Sequence, residues 1–270
     1  MKAKIDLLRR KLIHKARERV TEKFTGRDQH VIKAIGVLGD LDNVFNLLFE
    51  QVREWYGMHF PELERMCNDN AVYLKLAYHL GDRKNFLFEK ICEHYENQLA
   101  AKQIEEKAGQ SLGSPVEEED LAEIRLLALN ALNLREEREF LVKYLEKAMK
   151  QVCPNVLAVA GALVGGKLLA TAGSLKRMAM MPGSTLQVLG AEKALFSHLR
   201  KGTLSPKHGH VYQHPLVRGV AKNKKGRMAR TLGAKIALAA KKDFFGKKED
   251  CQAELQALNR RAEQLGGARK

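Results

Sequence analysis

Residues 161–167 (GALVGGK) have the GxxxxGK spacing of a phosphate-binding loop. In nucleotide-hydrolysing enzymes that loop follows a β-strand, and a serine or threonine after the lysine holds Mg²⁺. Here Leu168 follows Lys167, and the preceding residues have a helical pattern. Small residues in such a stretch also permit close packing between helices. We therefore expect these glycines to pack against a neighbouring helix and not to bind ATP.

Three histidines, His208, His210 and His214, lie close together in the sequence and raise the question of a metal site. No acidic ligand is nearby, and the cationic surroundings disfavour a divalent ion. Residues 151–242 contain one carboxylate, Glu192, which excludes paired-carboxylate catalysis in that region. We expect RNA or backbone contacts for the histidines, and no cofactor, no metal site and no enzymatic activity.

The four cysteines, Cys67, Cys92, Cys153 and Cys251, are scattered and include no CxxC pair. This spacing favours separate buried thiols in a reducing compartment over zinc binding or a disulfide. The first ten residues alternate charged and apolar side chains, unlike a signal peptide. We expect a cytosolic or nuclear protein.

Basic residues are concentrated in the C-terminal part of the chain. The net charge is +15 and the pI is near 9.7. Residues 151–270 hold 22 Lys and Arg against 6 Asp and Glu, a surplus of 16 positive charges, whereas the first 150 residues hold 25 against 26. The surplus predicts a polyanionic partner, either nucleic acid or an anionic membrane surface. A membrane ranks last because residues 225–241 lack aromatic anchors.

The cations expected to neutralise phosphates are Lys193, Arg200, Lys201, Lys207, Arg218, Lys222, Lys224, Lys225, Arg227, Arg230 and Lys235. A turn at Gly183, Ser184 and Thr185 supplies backbone N–H and hydroxyl donors that can approach a sugar–phosphate chain. For Glu192 two interpretations stay open: an ion pair with Lys193 or Arg200, or hydrogen bonds with base amino groups. For residues 222–230 the alternative to RNA binding is a solvated charge run.

Helical patterns extend over almost the whole chain and predict an all-α fold. Apolar residues from Val31 to Trp55 step by three and four, which predicts a long helix that ends near Gly57, with Pro61 opening the next helix. Residues 62–109 read as helical with a break at 81–82. A second seam follows an acidic helix start at residue 116, and Arg138 interrupts it.

Two long seams separated by a helical insert predict an antiparallel coiled-coil arm. We expect the arm to mediate dimerisation through these apolar residues: Leu38, Leu41, Phe45, Leu48, Leu127, Leu134 and Leu141. The predicted domains are an N-terminal charged helix at 1–27, the coiled coil at 28–150, a small helical domain at 151–250 and a polar tail at 251–270. Within the third, helices are predicted at 155–171, 174–180, 189–201 and 225–241, with loops at 181–187 and 202–216.

Two parts of the chain resemble the Nop family. Residues 53–63 (REWYGMHFPEL) are similar to its REWYxxHFPEL signature. More specific are five segments in the order and spacing of the Nop domain: 172–175 (AGSL), 182–196 (PGSTLQVLGAEKALF), 206–209 (PKHG), 214–215 (HP) and 226–235 (GRMARTLGAK). The resemblance covers residues 28–245 and implies an all-helical protein with a coiled-coil arm followed by a Nop domain.

The resemblance also implies a function. Such scaffolds bind the joint surface of a kink-turn RNA and a small ribosomal-protein-like partner, as in box C/D guide particles that direct 2′-O-methylation of RNA. They pair through their coiled coils and recruit fibrillarin, and the protein would be cytoplasmic in an archaeon or nucleolar in a eukaryote. The RNA-facing positions carried over by motif would be Gly183, Ser184, Thr185, Gly190, Ala191, Glu192, Lys193, Lys207 and Arg230. Gln187, Arg200, Lys201, His208 and Arg227 are further predicted RNA contacts.

Three departures from the family pattern bear on binding. Met180 and Ser197 stand where the family often has a lysine and an arginine. The loss of two cations predicts either weaker binding or a shift of the contacts to Arg200 and Lys201. Family members also carry an N-terminal domain that docks fibrillarin, whereas 27 residues precede the arm here. Two alternatives stay open: a splicing-type small nuclear ribonucleoprotein scaffold and a nonspecific basic RNA-binding protein.

Overall fold

The computed structural model describes residues 9–15, 26–246 and 251–266 of the chain. Within these residues all regular structure is helical and no β-strand occurs. The predicted all-α class is therefore confirmed. Residues 9–15 are helical and exposed, and most of the helix predicted for residues 1–27 lies outside the described residues.

Two long helices frame the fold, and shorter helices lie between and after them. The helices are α1 (Asp28–Gly57), α2 (Leu63–Met66), α3 (Asn70–His79), α4 (Phe88–Cys92), α5 (Gln98–Gly109), α6 (Glu118–Val152), α7 (Pro154–Ala172), α8 (Leu175–Met180), α9 (Gly183–Val188), α10 (Glu192–Lys201), α11 (Pro215–Arg218), α12 (Lys225–Phe245) and α13 (Gln252–Gln264). Single 3₁₀ turns occupy Arg83–Asn85 and His210–Gln213.

The chain divides into two compact units. Residues Leu38–Leu141 form one, called here the insert unit, and Met1–Val37 with Val142–Lys270 form the other, called the basic unit. Each boundary falls inside a long helix, α1 or α6. The domain limits predicted at residues 28, 151 and 251 stay predictions.

In the insert unit, helices α1 and α6 run antiparallel. Near one end Arg138 of α6 forms a salt bridge with Asp42 of α1 at 2.5 Å, and near the other Tyr56 of α1 lies close to Arg125 of α6. The salt bridge explains why Arg138 interrupts the predicted apolar seam. A charged residue is tolerated at this position because Asp42 on the opposite helix neutralises it.

The core of the insert unit is apolar and aromatic. Its buried side chains include Tyr56, Phe60, Leu74, Phe86 and Ile124, and the rings of Phe60 and Phe86 meet edge to face at 5.2 Å. Burial of such side chains contributes on the order of 2 kcal/mol each. The apolar pattern of residues 62–109 therefore serves this core.

Residues 62–109 contain more breaks than predicted. Besides the break at 81–82, the chain leaves helical geometry before α3 and before α5. Asp69 caps α3 by accepting a hydrogen bond from the backbone N–H of Ala71 at 3.1 Å, and Asn97 caps α5 through Ala100. Side chains that accept such bonds favour helix starts over helix interiors.

Residues 53–63 lie at the centre of a hydrogen-bonded latch. The Tyr56 hydroxyl donates to the Gly81 carbonyl. Buried His59 accepts the backbone N–H of Arg83 at Nε2, 3.1 Å away. Its Nδ1 lies 2.9 Å from the Ser114 carbonyl and must carry the proton, because a carbonyl only accepts. This segment therefore joins two loops of the insert unit.

The basic unit is organised around α7 and α12. Helix α7 is long and apolar enough to cross a membrane, but 61% of its apolar window is buried inside the protein, as in a core helix. Gly161 has φ +72° and kinks it. A Cβ at Gly166 would lie 2.6 Å from the Ile35 side chain. Gly165 and Gly166 thus lie in a helix and allow close packing, whereas Gly161 forms the kink and a Cβ there would meet no atom within 4 Å.

Polar contacts hold the C-terminal end of α12 to two neighbouring helices. Asp243 near the end of α12 caps α7, accepting the backbone N–H groups of Asn155 at 3.0 Å and Val156 at 2.8 Å. Burial raises the pKa of the Asp243 carboxyl above its ordinary value. Helix α13, predicted as a polar tail, packs on α12, with Lys242 bound to Glu254 at 3.1 Å.

The four cysteines are partly or fully enclosed. Cys153 and Cys251 are buried, and Cys67 and Cys92 are half-buried. Burial raises the pKa of the thiols of Cys67 and Cys153 to about 12. Thiols in such surroundings are protonated and unreactive at neutral pH.

Two predicted loops are partly helical. Residues 181–187 were expected to be a loop but contain most of α9, and residues 202–216 contain a 3₁₀ turn and the start of α11. Glycine and proline suggested loops because both disfavour helix interiors. Here Pro182 caps α9 and Pro215 begins α11, positions at which proline is compatible with a helix.

Candidate nucleic-acid interface

Helix α9 crosses α12 at a point where both helices have glycine. A Cβ at Gly183 would lie 2.7 Å from the Cα of Ala234, and one at Gly233 would lie 2.7 Å from the Gly183 carbonyl oxygen. Gly183 is half-buried against this crossing, while Ser184 and Thr185 are exposed. The crossing fixes α9, so that the two hydroxyls point away from the core.

The turn after α9 has a hydrogen bond of its own. Gly190 adopts φ +90°, and its backbone N–H donates to the Glu192 carboxylate at 2.7 Å. That bond is the main cause of a lowered Glu192 pKa. Glu192 therefore bonds to its own turn, with neither the predicted Lys193 nor Arg200 pair. Its side chain is exposed, so base contacts stay a prediction.

Hydrogen bonds join the loop containing Lys207 and His208 to the end of α9. The Gln187 side-chain amide donates to the Lys207 carbonyl at 2.7 Å, and the Gly209 N–H donates to the Gln187 carbonyl at 2.8 Å. A Cβ at Gly226 in α12 would lie 3.3 Å from the Lys207 Cβ. Four sequence segments, 183–188, 190–193, 207–209 and the start of α12, thus form one surface.

The predicted cations lie at different places on this unit. Lys207 sits at the junction just described, and Arg227 and Arg230 are exposed in the first turns of α12. Lys193 lies in the first turn of α10. Arg200 and Lys201 end the helix, about 10 to 12 Å away at 1.5 Å per residue. The structure therefore brings Lys207 to α12 but places Arg200 and Lys201 at the other end of α10.

Helix α10 exposes an apolar face. None of its ten residues is buried, and Phe196 and Leu199 are 61% and 70% exposed. Residues three apart lie on the same face of a helix. Met180 at the end of α8 is also exposed. Apolar side chains of this size on a surface are characteristic of protein contacts.

The three histidines have separate environments. The His208 ring stacks on Tyr212. His210 Nε2 lies 3.0 Å from the Thr171 hydroxyl, and because that hydroxyl donates to the Lys167 carbonyl, it accepts from His210. His214 Nδ1 accepts the backbone N–H of Leu216. Among the described residues, no group of three or more His, Cys, Asp or Glu is placed to hold a metal ion.

Some residues of this surface escaped the sequence analysis. Lys176 and Arg177 are exposed on α8, which packs on α12. Tyr212 lies beside His208, and Lys225 donates to the Tyr212 hydroxyl at 3.1 Å. The spacing of His208 and Tyr212, four residues apart and followed by a basic run, was the available signal.

The two units differ in how many of their arginines are paired. Four arginines of the insert unit form ion pairs: Arg53 with Glu64, Arg125 with Glu118, Arg135 with Asp69 and Arg138 with Asp42. In the basic unit, a set of exposed cations makes no side-chain hydrogen bond or ion pair with any other residue that the structure describes. The set comprises Lys176, Arg177, Lys193, Arg200, Lys201, Lys207, Arg218, Lys222, Arg227 and Arg230.

The predicted dimerisation residues lie in the central part of the two long helices. Leu38 is buried within its own chain, and the other six are half-buried: Leu41, Phe45, Leu48, Leu127, Leu134 and Leu141. A groove of about 450 Å³ between α1 and α6 is lined by Leu41, Phe45 and Leu134 together with charged side chains.

Helical structure throughout the described residues and an array of unpaired cations on one unit are features of the class of basic binding modules. Comparison with known proteins identifies the family. The profile of the Nop family, described as "snoRNA binding domain, fibrillarin", matches residues 37–264. This chain belongs to the Nop family.

Its relatives include archaeal and eukaryotic proteins. It is 43% identical over 241 residues to an uncharacterised NOP5 family protein of Methanocaldococcus jannaschii, covering 88% of this chain and 57% of the relative. It is 40% identical over 233 residues to human nucleolar protein 58, covering 86% and 44%. The chain spans about half the length of these relatives.

A solved structure of a fibrillarin/Nop5p complex is also similar. Its matching chain is 25% identical, with a TM-score of 0.49, and the match covers 96% of this chain and 78% of that one.

Proposed function

We propose that this protein is a non-catalytic scaffold that binds a kink-turn RNA together with a small ribosomal-protein-like partner, as in box C/D guide particles. The observation behind this proposal is the array of unpaired cations around α9, the 207–209 loop and the start of α12. Exposed cations that lack carboxylate partners are available to phosphates. Kink-turns are recognised by shape and sugar–phosphate contacts, which suits such a surface.

The partner protein is proposed to bind the exposed face of α10. Phe196 and Leu199 offer apolar contact area. Lys193, at the start of the same helix, follows the turn that contains Gly190 and Glu192. A complex in which RNA covers the cations and protein covers the apolar face would use both features. It follows that affinity for the assembled RNA–protein complex should exceed affinity for either component alone.

Kinship supports the guide-particle branch over the splicing alternative. One relative is a nucleolar protein 58 and another is a NOP5 family protein. By this proposal the protein would be cytoplasmic in an archaeon and nucleolar in a eukaryote. Recruitment of fibrillarin is proposed as a property of the assembled particle, supported by the description of the matching family, which names fibrillarin.

A gel-shift titration at two salt concentrations tests the RNA proposal. The ligands are a kink-turn RNA alone and the same RNA bound to its small partner. The wild type should bind the complex tightly, and Lys193→Ala/Arg230→Ala should bind it at least tenfold more weakly, since each lost phosphate contact weakens binding. The control, Lys90→Ala/Lys107→Ala, removes two exposed lysines of the insert unit and should bind as the wild type does.

Two further results refine the outcome. Phe196→Ser/Leu199→Ser should lose the preference for the complex while retaining weak binding to RNA alone. Equal, salt-sensitive binding of the wild type to any RNA, unaffected by Lys193→Ala/Arg230→Ala, would contradict the proposal. The protein would then be a nonspecific basic RNA-binding protein.

We further propose that a second copy of the chain pairs with the central α1–α6 segment. The supporting feature is the groove lined by Leu41, Phe45 and Leu134, which leaves apolar side chains half-exposed. Phe45→Glu should convert a dimer to a monomer in light scattering, whereas Leu99→Glu, at a 78% exposed leucine elsewhere in the insert unit, should not. Dissociation by Leu47→Glu but not by Phe45→Glu would place the interface on the opposite face of α1.

A further inference from the structure

Three side chains of the basic unit form a continuous surface, called here the stacking platform: His208, Tyr212 and Lys225. The rings of His208 and Tyr212 are nearly parallel, with an interplanar angle of 25° and centroids 4.6 Å apart. The Lys225 ammonium lies 4.8 Å from the Tyr212 ring centroid and donates to its hydroxyl at 3.1 Å. The three come from a loop, a 3₁₀ turn and the first residue of α12.

The backbone holds this platform in place before any ligand binds. The Tyr212 N–H donates to the Gly209 carbonyl at 3.0 Å, and the Gly209 N–H donates to Gln187 of α9 at 2.8 Å. Val211, between them, is fully buried. These bonds hold the backbone, and the contacts with His208 and Lys225 hold the Tyr212 ring. A ring held in this way loses little conformational entropy when a ligand stacks on it.

The platform is exposed, unlike the aromatic pair of Phe60 and Phe86 in the core of the insert unit. Tyr212 is 38% exposed, whereas Phe60 and Phe86, which form an aromatic pair of the insert unit, are 0% and 2% exposed. Core burial therefore does not explain the His208–Tyr212 stack. Because Tyr212 is exposed to solvent, a ligand can reach this pair of rings.

The charges around the platform select the ligand. Lys225 lowers the pKa of the Tyr212 hydroxyl, first through its hydrogen bond and then through its charge, and Arg218 and Lys222 lower it further. Three cations are thus close enough to act on one ring. They repel a cationic ligand and favour one that joins a flat ring to a negative charge. A nucleotide has that composition.

We propose that the stacking platform binds an unpaired nucleobase of the RNA, with Arg218, Lys222 and Lys225 next to the phosphates that flank it. The inference rests on the proposed RNA-binding function and adds a contact with a base. Stacking is tolerant of sequence but requires a base that has left its helix. The platform would therefore recognise an extruded or single-stranded nucleotide beside the structured RNA.

A mutant cycle with abasic RNA tests this proposal. The probe is the kink-turn RNA bound to its small partner, with each unpaired nucleotide replaced in turn by an abasic one. Tyr212→Ala should weaken binding of the intact RNA about tenfold. At one position the abasic RNA should weaken binding by the wild type to the same extent, with no further loss for Tyr212→Ala. His208→Ala should show the same coupling, and Tyr144→Ala, at another exposed tyrosine, should bind as the wild type does.

Salt dependence separates stacking from charge. Tyr212→Ala should leave the slope of log affinity against log salt unchanged, whereas Lys222→Ala should reduce it by about one. Tyr212→Phe should retain most of the affinity because the ring remains. Circular dichroism and thermal melting of each variant confirm that it is folded.

Each outcome has one interpretation. Failure of the wild type to bind the complex overturns the proposed function together with this inference. Binding by the wild type with no coupled abasic position overturns the stacking platform alone. Loss of binding by Tyr212→Ala with a reduced salt slope and no abasic effect also overturns it, since the ring would then only position Lys225.

Discussion

The insert unit and the basic unit both contain segments that resemble the Nop family, yet they use those segments in opposite ways. In the insert unit, Tyr56 and His59 are buried, and their polar atoms bond within the unit. In the basic unit, Ser184, Thr185 and Lys193 are exposed, and their side chains make no hydrogen bond with any other described residue. The polar groups of the first set bond to other residues of the protein, whereas those of the second set are available to a ligand.

This difference shows that a shared motif can have two physical causes. A buried histidine with both ring nitrogens bonded is retained because the fold needs it. A lysine without a carboxylate partner, in a region almost devoid of acids, has no comparable role in stability. Burial and hydrogen-bond partners distinguish the two causes, and each cause predicts a different effect of mutation.

The largest expected effect is on stability, at His59. His59→Ala removes two hydrogen bonds, leaves the Arg83 N–H unpaired and leaves the Ser114 carbonyl only a long bond from the Arg83 guanidinium at 3.5 Å. Together with the lost packing of the ring, this should lower the free energy of unfolding by about 3 kcal/mol. Urea denaturation measures the loss. At temperatures at which the variant is folded, its RNA affinity should equal that of the wild type.

The neighbouring Met58 provides the control. Its side chain is 68% exposed, so that Met58→Ala should change stability by less than about 0.5 kcal/mol. A His59→Ala variant that is stable but no longer binds RNA would contradict the comparison, since the insert unit's signature would then take part in binding.

Much of the long-helix framework could be predicted from sequence. The heptad pattern gave the C-terminal end of α1 at Gly57, and the acidic run before Leu121 gave the start of α6. Both signals are local, because helix periodicity and capping depend on residues within a few positions. The excess of charge after residue 151 is equally local and located the cationic surface.

The latch and the packing that assembles the cationic surface could not be predicted because they depend on contacts between residues distant in sequence. His59 meets Ser114 across 55 residues. Helix α9 was predicted to be a loop, since nothing near Gly183 indicates that α12 will pack against it some 50 residues later. The role of Glu192 as a partner of the Gly190 N–H likewise required the turn geometry.

A second stability effect is expected at Gly183, a residue of the basic unit that serves the packing of the fold, as His59 does in the insert unit. Gly183→Ala would place a Cβ 2.7 Å from the α12 backbone, and separating the helices should cost about 2 kcal/mol. Gly39→Ala is the control, because a Cβ there meets open space. Differential scanning calorimetry of both variants makes the comparison. An unchanged melting temperature for Gly183→Ala would show that this glycine has no packing role.

Smaller effects are expected at two arginines, one unpaired in the basic unit and one paired in the insert unit. Replacing the first should change only RNA binding, and replacing the second should change only stability. Arg227→Gln should leave stability unchanged, weaken binding to the RNA–protein complex about fivefold and reduce the salt slope by about one. Arg135→Gln breaks the partly exposed pair with Asp69 and should cost about 0.5 kcal/mol of stability without changing RNA affinity. Fluorescence anisotropy and urea denaturation of the two variants measure both quantities. If both variants lost RNA affinity equally, cations would contribute without regard to pairing.

The smallest expected effect is a pH dependence confined to the insert unit. The rings of His79 and His94 stack at 4.0 Å, and the pKa of His79 is lowered by desolvation of its ring, by His94 and by Lys75, against the opposing effect of Glu93. A histidine whose pKa is lower in the folded state takes up its proton first in the unfolded state, so stability falls as pH decreases below about 6.5. Unfolding in urea at pH 7.5 and 5.5 should show a larger loss for the wild type than for His79→Gln, which cannot be protonated. RNA affinity should be unaffected by this substitution at either pH, because the stacked pair belongs to the unit whose polar groups serve the fold.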